Sequence, residues 1–295
     1  MRTFTHHDDK KNCKVGGALL SLAELRAIPG MDPETVNEMN RGMFTKAMGN
    51  FKSPSNDPSF YGTSSAKVLA KRADGDWGEG ATKLRQLSQG VLGAATTLGV
   101  ADNRRRPAWS DQGDEVCLDR LLGGQLDQMW RTTRRDGQGI TPIVSIVCGW
   151  GGLAMRSAEQ LFWSGATAVV AAHILEEHGY SVEIIAANCA DQDDGTSVAA
   201  IRLKNSDTPL EMMSVAASAC FGGVFRTLGF AAKCLQPHVE VNWGYGSTAD
   251  PLSMEISKWP LEGEPVAVGN VYSREVAIEK IKEILHSVET GLYLD

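Results

Sequence analysis

The sequence feature that most limits the possible fold is a nearly continuous apolar run from Pro142 to Cys148. A run of this length, rich in valine and isoleucine, is typical of a strand buried on both faces of a parallel sheet. Further strand patterns follow at Val182–Ala187 and Val198–Leu203, and helical patterns at Ser157–His178 and Ser273–Thr290. This order predicts a Rossmann-like α/β fold with a doubly wound, mainly parallel sheet.

The limits of the longest predicted helix are set by local signals. Ser157 and Gln160 form a capping box, which begins a helix, and Gly179 is suited to the position just after its end. Small residues such as Gly165 within it allow a close approach to a sheet. We therefore predict a single helix that packs tightly on the strand at Pro142–Cys148.

We divide the chain into three segments. Residues 1–58 are expected to be an N-terminal helical extension, because Ser21 and Glu24 form a capping box and Asp32 precedes a proline. Residues 59–140 are expected to be a mixed, partly helical α/β region that packs on the core. Residues 141–295 contain the strand and helix patterns of the main α/β domain.

The composition favours a cytoplasmic protein without a membrane partner. Hydrophobic residues make up 42% of the chain and charged residues 22%, as in ordinary globular proteins. Apolar runs such as Ala166–Ala172 are far shorter than the roughly 20 residues that cross a bilayer. The N-terminus lacks the apolar stretch of a secretory signal, and the six cysteines form no C-x-x-C pair. We therefore expect reduced cysteines and no zinc site.

Charge is distributed unevenly along the chain. Residues 1–140 carry 20 Lys and Arg against 17 Asp and Glu, whereas the remainder carries 9 against 19. The N-terminal half can therefore face an anionic partner that the C-terminal half would repel. The alternative is that this asymmetry serves only solubility.

A glycine-rich loop follows the first strong strand. Gly149, Gly151 and Ala154 satisfy the dinucleotide-binding pattern G-x-G-x-x-A, but the helix cap at Ser157 comes several residues too late for that motif. The alternative is a strand-to-helix connection that places a tryptophan at the mouth of the sheet. In either case the candidate partner or ligand loop consists of Gly149, Trp150, Gly151 and Gly152.

Two clusters of arginine and tryptophan form a candidate site for single-stranded nucleic acid. Arginine pairs with phosphate through two hydrogen bonds, and indole rings stack on unpaired bases. Acidic residues lie between the clusters, and solvated arginines and core tryptophans are the alternative interpretation. The candidate residues are Arg104, Arg105, Arg106, Trp109, Trp130, Arg131, Arg134 and Arg135.

The strand at Pro142–Cys148, the helix at Ser157–His178 and the stretches EEHGYSVEII and FRTLGF resemble a von Willebrand A domain. In that family the first strand ends in D-x-S-x-S, whose side chains bind a divalent cation. Gly149, Gly151 and Leu153 stand at those three positions and offer no side-chain oxygen. The resemblance therefore implies a fold of this kind without its metal site.

A broader resemblance begins near Phe60. The segments FYGTSS, DWGEG, GDEVCLDRLLGG and EEHGYSVEI are similar to an uncharacterised family of phage and bacterial proteins that has a von Willebrand A-like domain with a degraded metal site. This resemblance implies a viral or prophage origin and no particular activity.

The hydrolase motifs G-x-S-x-G and H-E-x-x-H and the P-loop motif are absent from the sequence, and Cys148 fits a small buried residue better than a nucleophile. We therefore expect a phage-encoded, metal-independent binding or adaptor protein that acts with a protein partner in an intracellular nucleoprotein assembly and needs no cofactor. One alternative is a single-stranded DNA-binding accessory factor for viral transcription or replication. The other is a nucleotide-binding Rossmann-like enzyme.

Overall fold

The computed structural model describes residues 1–9, 12–54, 57–95, 106–110, 115–116, 129–134, 142–151, 156–192, 195–235, 248–249 and 254–290. These residues form a mixed α/β fold with one seven-stranded sheet and one three-stranded sheet. The strands are β1 (Arg2–Asp8), β2 (Cys13–Ser21), β3 (Arg106–Ser110), β4 (Glu115–Val116), β5 (Trp130–Arg134), β6 (Ile143–Gly149), β7 (Ser181–Gln192), β8 (Gly195–Lys204), β9 (Thr248–Ala249) and β10 (Glu264–Val268).

The helices include both long ones predicted from the sequence. They are α1 (Leu22–Ala27), α2 (Glu38–Lys52), α3 (Pro58–Tyr61), α4 (Ala66–Ala73), α5 (Gly78–Ala95), α6 (Ala158–Glu177), α7 (Met212–Cys220), α8 (Gly222–Val224), α9 (Phe230–Cys234) and α10 (Arg274–Thr290). A π-helical turn, Phe225–Gly229, joins α8 to α9. Ser157 caps α6 and forms the predicted capping box with Gln160. Ser273 Oγ accepts a hydrogen bond from Val276 N at the start of α10.

The main sheet has the strand order β1-β2-β8-β7-β6-β10, with β9 beside β7. Pairs β2/β8, β6/β7 and β6/β10 are parallel, whereas β1/β2, β7/β8 and β7/β9 are antiparallel. The sheet is therefore mixed, not mainly parallel as predicted. The difference arises at β7 and β8, where Gln192 pairs with Gly195. A two-residue connection can join only antiparallel neighbours, because a parallel crossover needs about a dozen residues or more.

Helices cover one face of this sheet. In the described part of the chain, every α-helix of eight residues or more contributes to a single core cluster that also contains Val144, Ile146 and Ile184 from the strands. The opposite face, with Val147 and Ile185, packs instead against Met254, Ile256 and Trp259. For the described residues this corrects the prediction of helices on both faces.

The N-terminal segment, predicted to be helical, begins with two strands. β2 pairs with β8 in parallel from Val15↔Thr196 to Ser21↔Arg202, so the first 21 residues extend the main sheet. The glycines of β2 hide its strand pattern, yet Gly17 has a packing role because a Cβ atom there would overlap the ring of Phe4. The predicted capping box of Ser21 and Glu24 is present and begins α1.

A buried ion pair holds the stretch that follows Trp259 against the sheet. Glu183 of β7 is fully buried and accepts hydrogen bonds from Arg202 Nε, at 2.5 Å, and from Ser145 Oγ, at 2.5 Å. The N–H groups of Glu262 and Gly263 donate to Glu183 and to Ser145 Oγ, both at 2.9 Å. Because each of these groups has a hydrogen-bond partner, the ion pair can be buried. The same hydrogen bonds fix the chain just before β10.

Among the described helices, none alone has both the length and the apolarity to cross a bilayer. α7 and the segment Gly222–Cys234 meet that criterion only as a pair, which is bent by 58°. Within this pair, Val215–Cys220 and Phe225–Gly229 are buried.

Gly165 supplies a test of the helical layer. A Cβ atom at this position would overlap the backbone oxygen of Ala219, so the close contact of α6 is with α7 and not with the sheet as predicted. Gly165→Ala should lower the free energy of unfolding by about 1–3 kcal/mol, because the helices must separate. Gly42→Ala in α2 is the matched control, since that glycine has open space around it and the change should stabilise by about 0.5–1 kcal/mol. Equal urea midpoints for Gly165→Ala and the wild type would contradict the contact.

Candidate ligand-binding cleft

The glycine-rich loop after β6 packs into the protein interior. Trp150 is only 2% exposed. Its indole Nε1 donates to the carbonyl oxygen of Ser218 at 3.0 Å, and its own carbonyl oxygen accepts from Asn188 Nδ2 at 2.9 Å. The indole ring also contacts Phe225 of the π-helical turn, with centroids 5.4 Å apart. The predicted tryptophan at the mouth of the sheet is therefore an internal anchor between β6, β7 and α7.

The glycines on either side of Trp150 are explained by the same packing. A Cβ atom at Gly149 would lie 2.6 Å from Asn270 Oδ1, and one at Gly151 would overlap the ring of Phe225. Gly151 also has a φ of +108°, which favours glycine. The third glycine of the predicted loop, Gly152, lies outside the described residues. Close protein contacts thus account for the two described positions that the dinucleotide pattern invokes.

We predict that Trp150→Phe destabilises the protein, because Trp150 anchors the fold and does not bind a ligand. The change leaves the buried carbonyl oxygen of Ser218 without its donor, at a cost of about 1–3 kcal/mol. Trp163→Phe is the control for stability, because Trp163 is half-buried and its indole nitrogen makes no hydrogen bond among the described residues. Urea unfolding of both variants measures the difference. Equal losses would contradict the anchoring role of the Trp150 hydrogen bond.

Burial keeps two cysteines near this region as thiols. It raises the pKa of Cys148, at the end of β6, to about 12. The pKa of Cys220, at the end of α7, is raised well above its usual value by burial and by the nearby Cys148. Since the thiolate is the nucleophilic form, neither side chain is reactive near neutral pH. This agrees with the interpretation of Cys148 as a small buried residue.

The two arginine clusters predicted for nucleic acid lie partly on adjacent strands. In the three-stranded sheet, with strand order β3-β5-β4, Arg106 is the register partner of Arg134, and Trp109 that of Arg131. Trp130 is half-buried and opposes Ser110. Three other members of the predicted set lie outside the described residues: Arg104, Arg105 and Arg135. Arg131 and Arg134 both lie on β5.

The described residues contain no group of three or more His, Cys, Asp or Glu side chains arranged to hold a metal ion. Gly149 and Gly151 occupy the positions of the aspartate and the first serine of the D-x-S-x-S motif. The third, Leu153, lies outside the described residues.

A cleft of about 700 Å³ lies where two parallel strands lead into their helices. β6 and β10 are parallel neighbours, so α6 and α10, which follow them, both begin near the same edge of the sheet. The first turn of α6 and the first residue of α10, Arg274, line the cleft, and α3, α5 and the end of α7 supply its other walls. Sites for small molecules usually have volumes of 300–1,000 Å³.

Four aromatic side chains form one wall of the cleft. Phe162 meets Trp77 and Trp163 edge to face, with centroids 5.9 Å and 5.0 Å apart, and Phe221 lies 5.4 Å from Trp77. Trp77, Phe162 and Phe221 are at least nine-tenths buried, whereas Trp163 is half-buried. The wall is therefore a fixed apolar surface on which Trp163 is the most accessible ring.

Arg72 joins this wall as a fixed cation. Its guanidinium lies 4.5 Å from the ring centre of Phe221 and 5.5 Å from that of Trp77, and it forms an ion pair with Glu79 at 3.6 Å. Burial lowers the pKa of Arg72 from its usual value, although the guanidinium remains charged at neutral pH. Because Arg72 stacks on the rings and pairs with Glu79, we interpret it as a structural part of the wall.

Two other cations line the cleft, and one of them, Lys83, has its Nζ 5.7 Å from the ring centre of Phe162. Lys83 and Arg274 are exposed, line the cleft and form no ion pair among the described residues. Glu159, in the first turn of α6, is a carboxylate on the same rim. The capping box satisfies the N–H groups of Ser157 and Gln160 but leaves those of Ala158 and Glu159 outside the helical hydrogen bonds. Free N–H groups and the positive end of the helix dipole, together with the two cations, suit an anion.

Sequence reasoning missed this cleft. Its residues come from distant stretches of the chain, and Arg72, Lys83 and Arg274 show no shared local pattern. The available signal was the pair of helix caps at Ser157 and Ser273, each placed after a strand.

The fold defines a mixed α/β protein with one helical layer and a basic, aromatic cleft at the strand ends. The chain matches a family described as a domain of unknown function, DUF7192, over residues 31–290, and it belongs to that family. The matched region contains every residue that lines the cleft. No curated protein and no solved structure matches the chain.

Proposed function

We propose that this chain is a metal-independent binding protein whose cleft holds a small anionic molecule. The observation that carries the proposal is the meeting of two helix N-termini with Lys83 and Arg274 at one cleft. The cysteines at this edge, Cys148 and Cys220, are held as thiols by burial, which favours a binding role over nucleophilic catalysis. Direct charge and N–H contacts bind an anion without a bridging cation.

The proposals for the fold relationship and for the biological setting of the protein are compatible with this role. A von Willebrand A-like relationship is supported by the β6–α6–β7 unit, in which a strand, a long helix and a parallel neighbouring strand follow one another. A phage-encoded adaptor in a cytoplasmic nucleoprotein assembly is our proposal for the setting, and it rests on the sequence resemblance. In that setting the anion would be a small regulatory ligand or part of the partner.

The test is isothermal titration with inorganic pyrophosphate in a buffer that contains EDTA. Lys83→Glu and Arg274→Glu should each raise the Kd at least tenfold, because a charge-assisted hydrogen bond contributes about 1.5–3 kcal/mol and tenfold corresponds to about 1.4 kcal/mol. Arg85→Glu is the matched control, since Arg85 is exposed on α5 but does not line the cleft. No binding by the wild type, or an equal loss in Arg85→Glu, would contradict the proposal.

Binding of single-stranded nucleic acid is a second candidate, favoured by one observation. The register of β3 and β5 sets Arg106 beside Arg134 and Trp109 beside Arg131, so the two predicted clusters are neighbours in a sheet. Neighbouring cations and indole rings are the elements that single strands bind through phosphate contacts and stacking.

This candidate predicts a salt-dependent affinity for single strands. Replacement of Arg104, Arg105 and Arg106 by glutamate should weaken binding and reduce the slope of log K against log salt by roughly one per lost phosphate contact. Trp130→Ala should cost about 1–3 kcal/mol if its ring stacks on a base. Fluorescence anisotropy with a single-stranded oligonucleotide at low salt measures both effects, with Arg85→Glu as the control. Absence of binding by the wild type at micromolar protein would remove this candidate.

A further inference from the structure

We infer that the ligand of the cleft is a nucleoside phosphate, whose phosphate lies at the helix N-termini and whose base lies against the aromatic wall. This inference rests on the proposed anion-binding function and adds the chemical class of the ligand. It follows from the presence, in one cleft, of a charged end, an aromatic wall and free hydrogen-bonding groups.

The charged end is suited to a phosphate group. Ala158 and Glu159 carry the first N–H groups of α6, a helix of 20 residues, and Lys83 and Arg274 line the same cleft. The carboxylate of Glu159, on the same rim, opposes a large accumulation of negative charge. The arrangement therefore favours a mono- or diphosphate over a triphosphate.

The aromatic wall is suited to a planar ring. A purely ionic site would not need four aromatic side chains, whereas a nucleobase gains from contact with an indole face. Trp163 is the member that remains half-buried, and its edge-to-face contact with Phe162 fixes its orientation. The cleft volume of about 700 Å³ is sufficient for a base, a sugar and a phosphate together.

One polar side chain along the cleft remains available to a base or a sugar. Gln86 is exposed in the cleft, and its amide, both donor and acceptor, forms no hydrogen bond among the described residues.

The test compares ligands that contain one or both parts of the molecule. Isothermal titration of the full chain is carried out with adenosine 5′-monophosphate, guanosine 5′-monophosphate, cytidine 5′-monophosphate, adenosine, inorganic phosphate and inorganic pyrophosphate. At least one nucleotide should bind at least tenfold more tightly than either adenosine or inorganic phosphate. If pyrophosphate binds and no nucleotide binds more tightly than phosphate, the inference is wrong and the proposed anion site stands. If neither pyrophosphate nor any nucleotide binds, both are wrong.

Trp163→Ala provides the second measurement. It should lower the affinity for the nucleotide relative to that for pyrophosphate by about tenfold, since stacking on a base contributes on that order. Trp163→Phe should restore most of this ratio, because the ring surface is kept. Phe51→Ala is the matched control: Phe51 is a partly buried aromatic residue of the same core that does not line the cleft. An unchanged ratio in Trp163→Ala, with pyrophosphate binding retained as proof of folding, would overturn the assignment of the ring.

Discussion

The parallel pairing of β2 with β8 is the constraint on which the arrangement of the molecule depends. It adds the N-terminal strands to the sheet formed by the C-terminal half, and α1 follows β2 immediately. α2, α4 and α5 then pack in the same core cluster as α6, α7 and α10. Since α5 and the end of α4 form walls of the cleft, the site combines residues from the two halves of the chain that this pairing joins.

Local signals in the sequence predicted the positions of helices well. Capping boxes at Ser21 and Ser157 act over three residues, so they can be recognised without knowledge of the fold. The architecture of the sheet was less predictable, because the apolar run at Pro142–Cys148 requires cover on both faces but does not specify what supplies it. A segment that contains Trp259 and the short 3-10 helix Ile256–Lys258 covers the second face. The direction of β8 depends on β7 continuing to Gln192, beyond the strand predicted at Val182–Ala187.

Site prediction failed at the glycine-rich loop for a definable physical reason. Glycine permits close approach of any atoms, and the sequence does not indicate whether those atoms belong to a ligand or to the protein. Here Asn270 and Phe225 occupy the space beside Gly149 and Gly151. The cleft, in contrast, brings together Arg72, Lys83 and Arg274, which are separated by up to about 200 residues along the chain. Only the tertiary structure places such residues together.

The pairing of β2 with β8 also has a consequence for biosynthesis. The partner of Val15 in β8 is Thr196, which leaves the ribosome about 180 residues later. At elongation rates of about 5–20 residues per second, the β1–β2 hairpin waits roughly 10 to 40 s for this neighbour. During that interval the edge of β2 and its apolar residues, such as Leu19 and Leu20, lack the cover they have in the finished protein. We therefore expect the nascent chain to expose an apolar strand of the kind that chaperones bind.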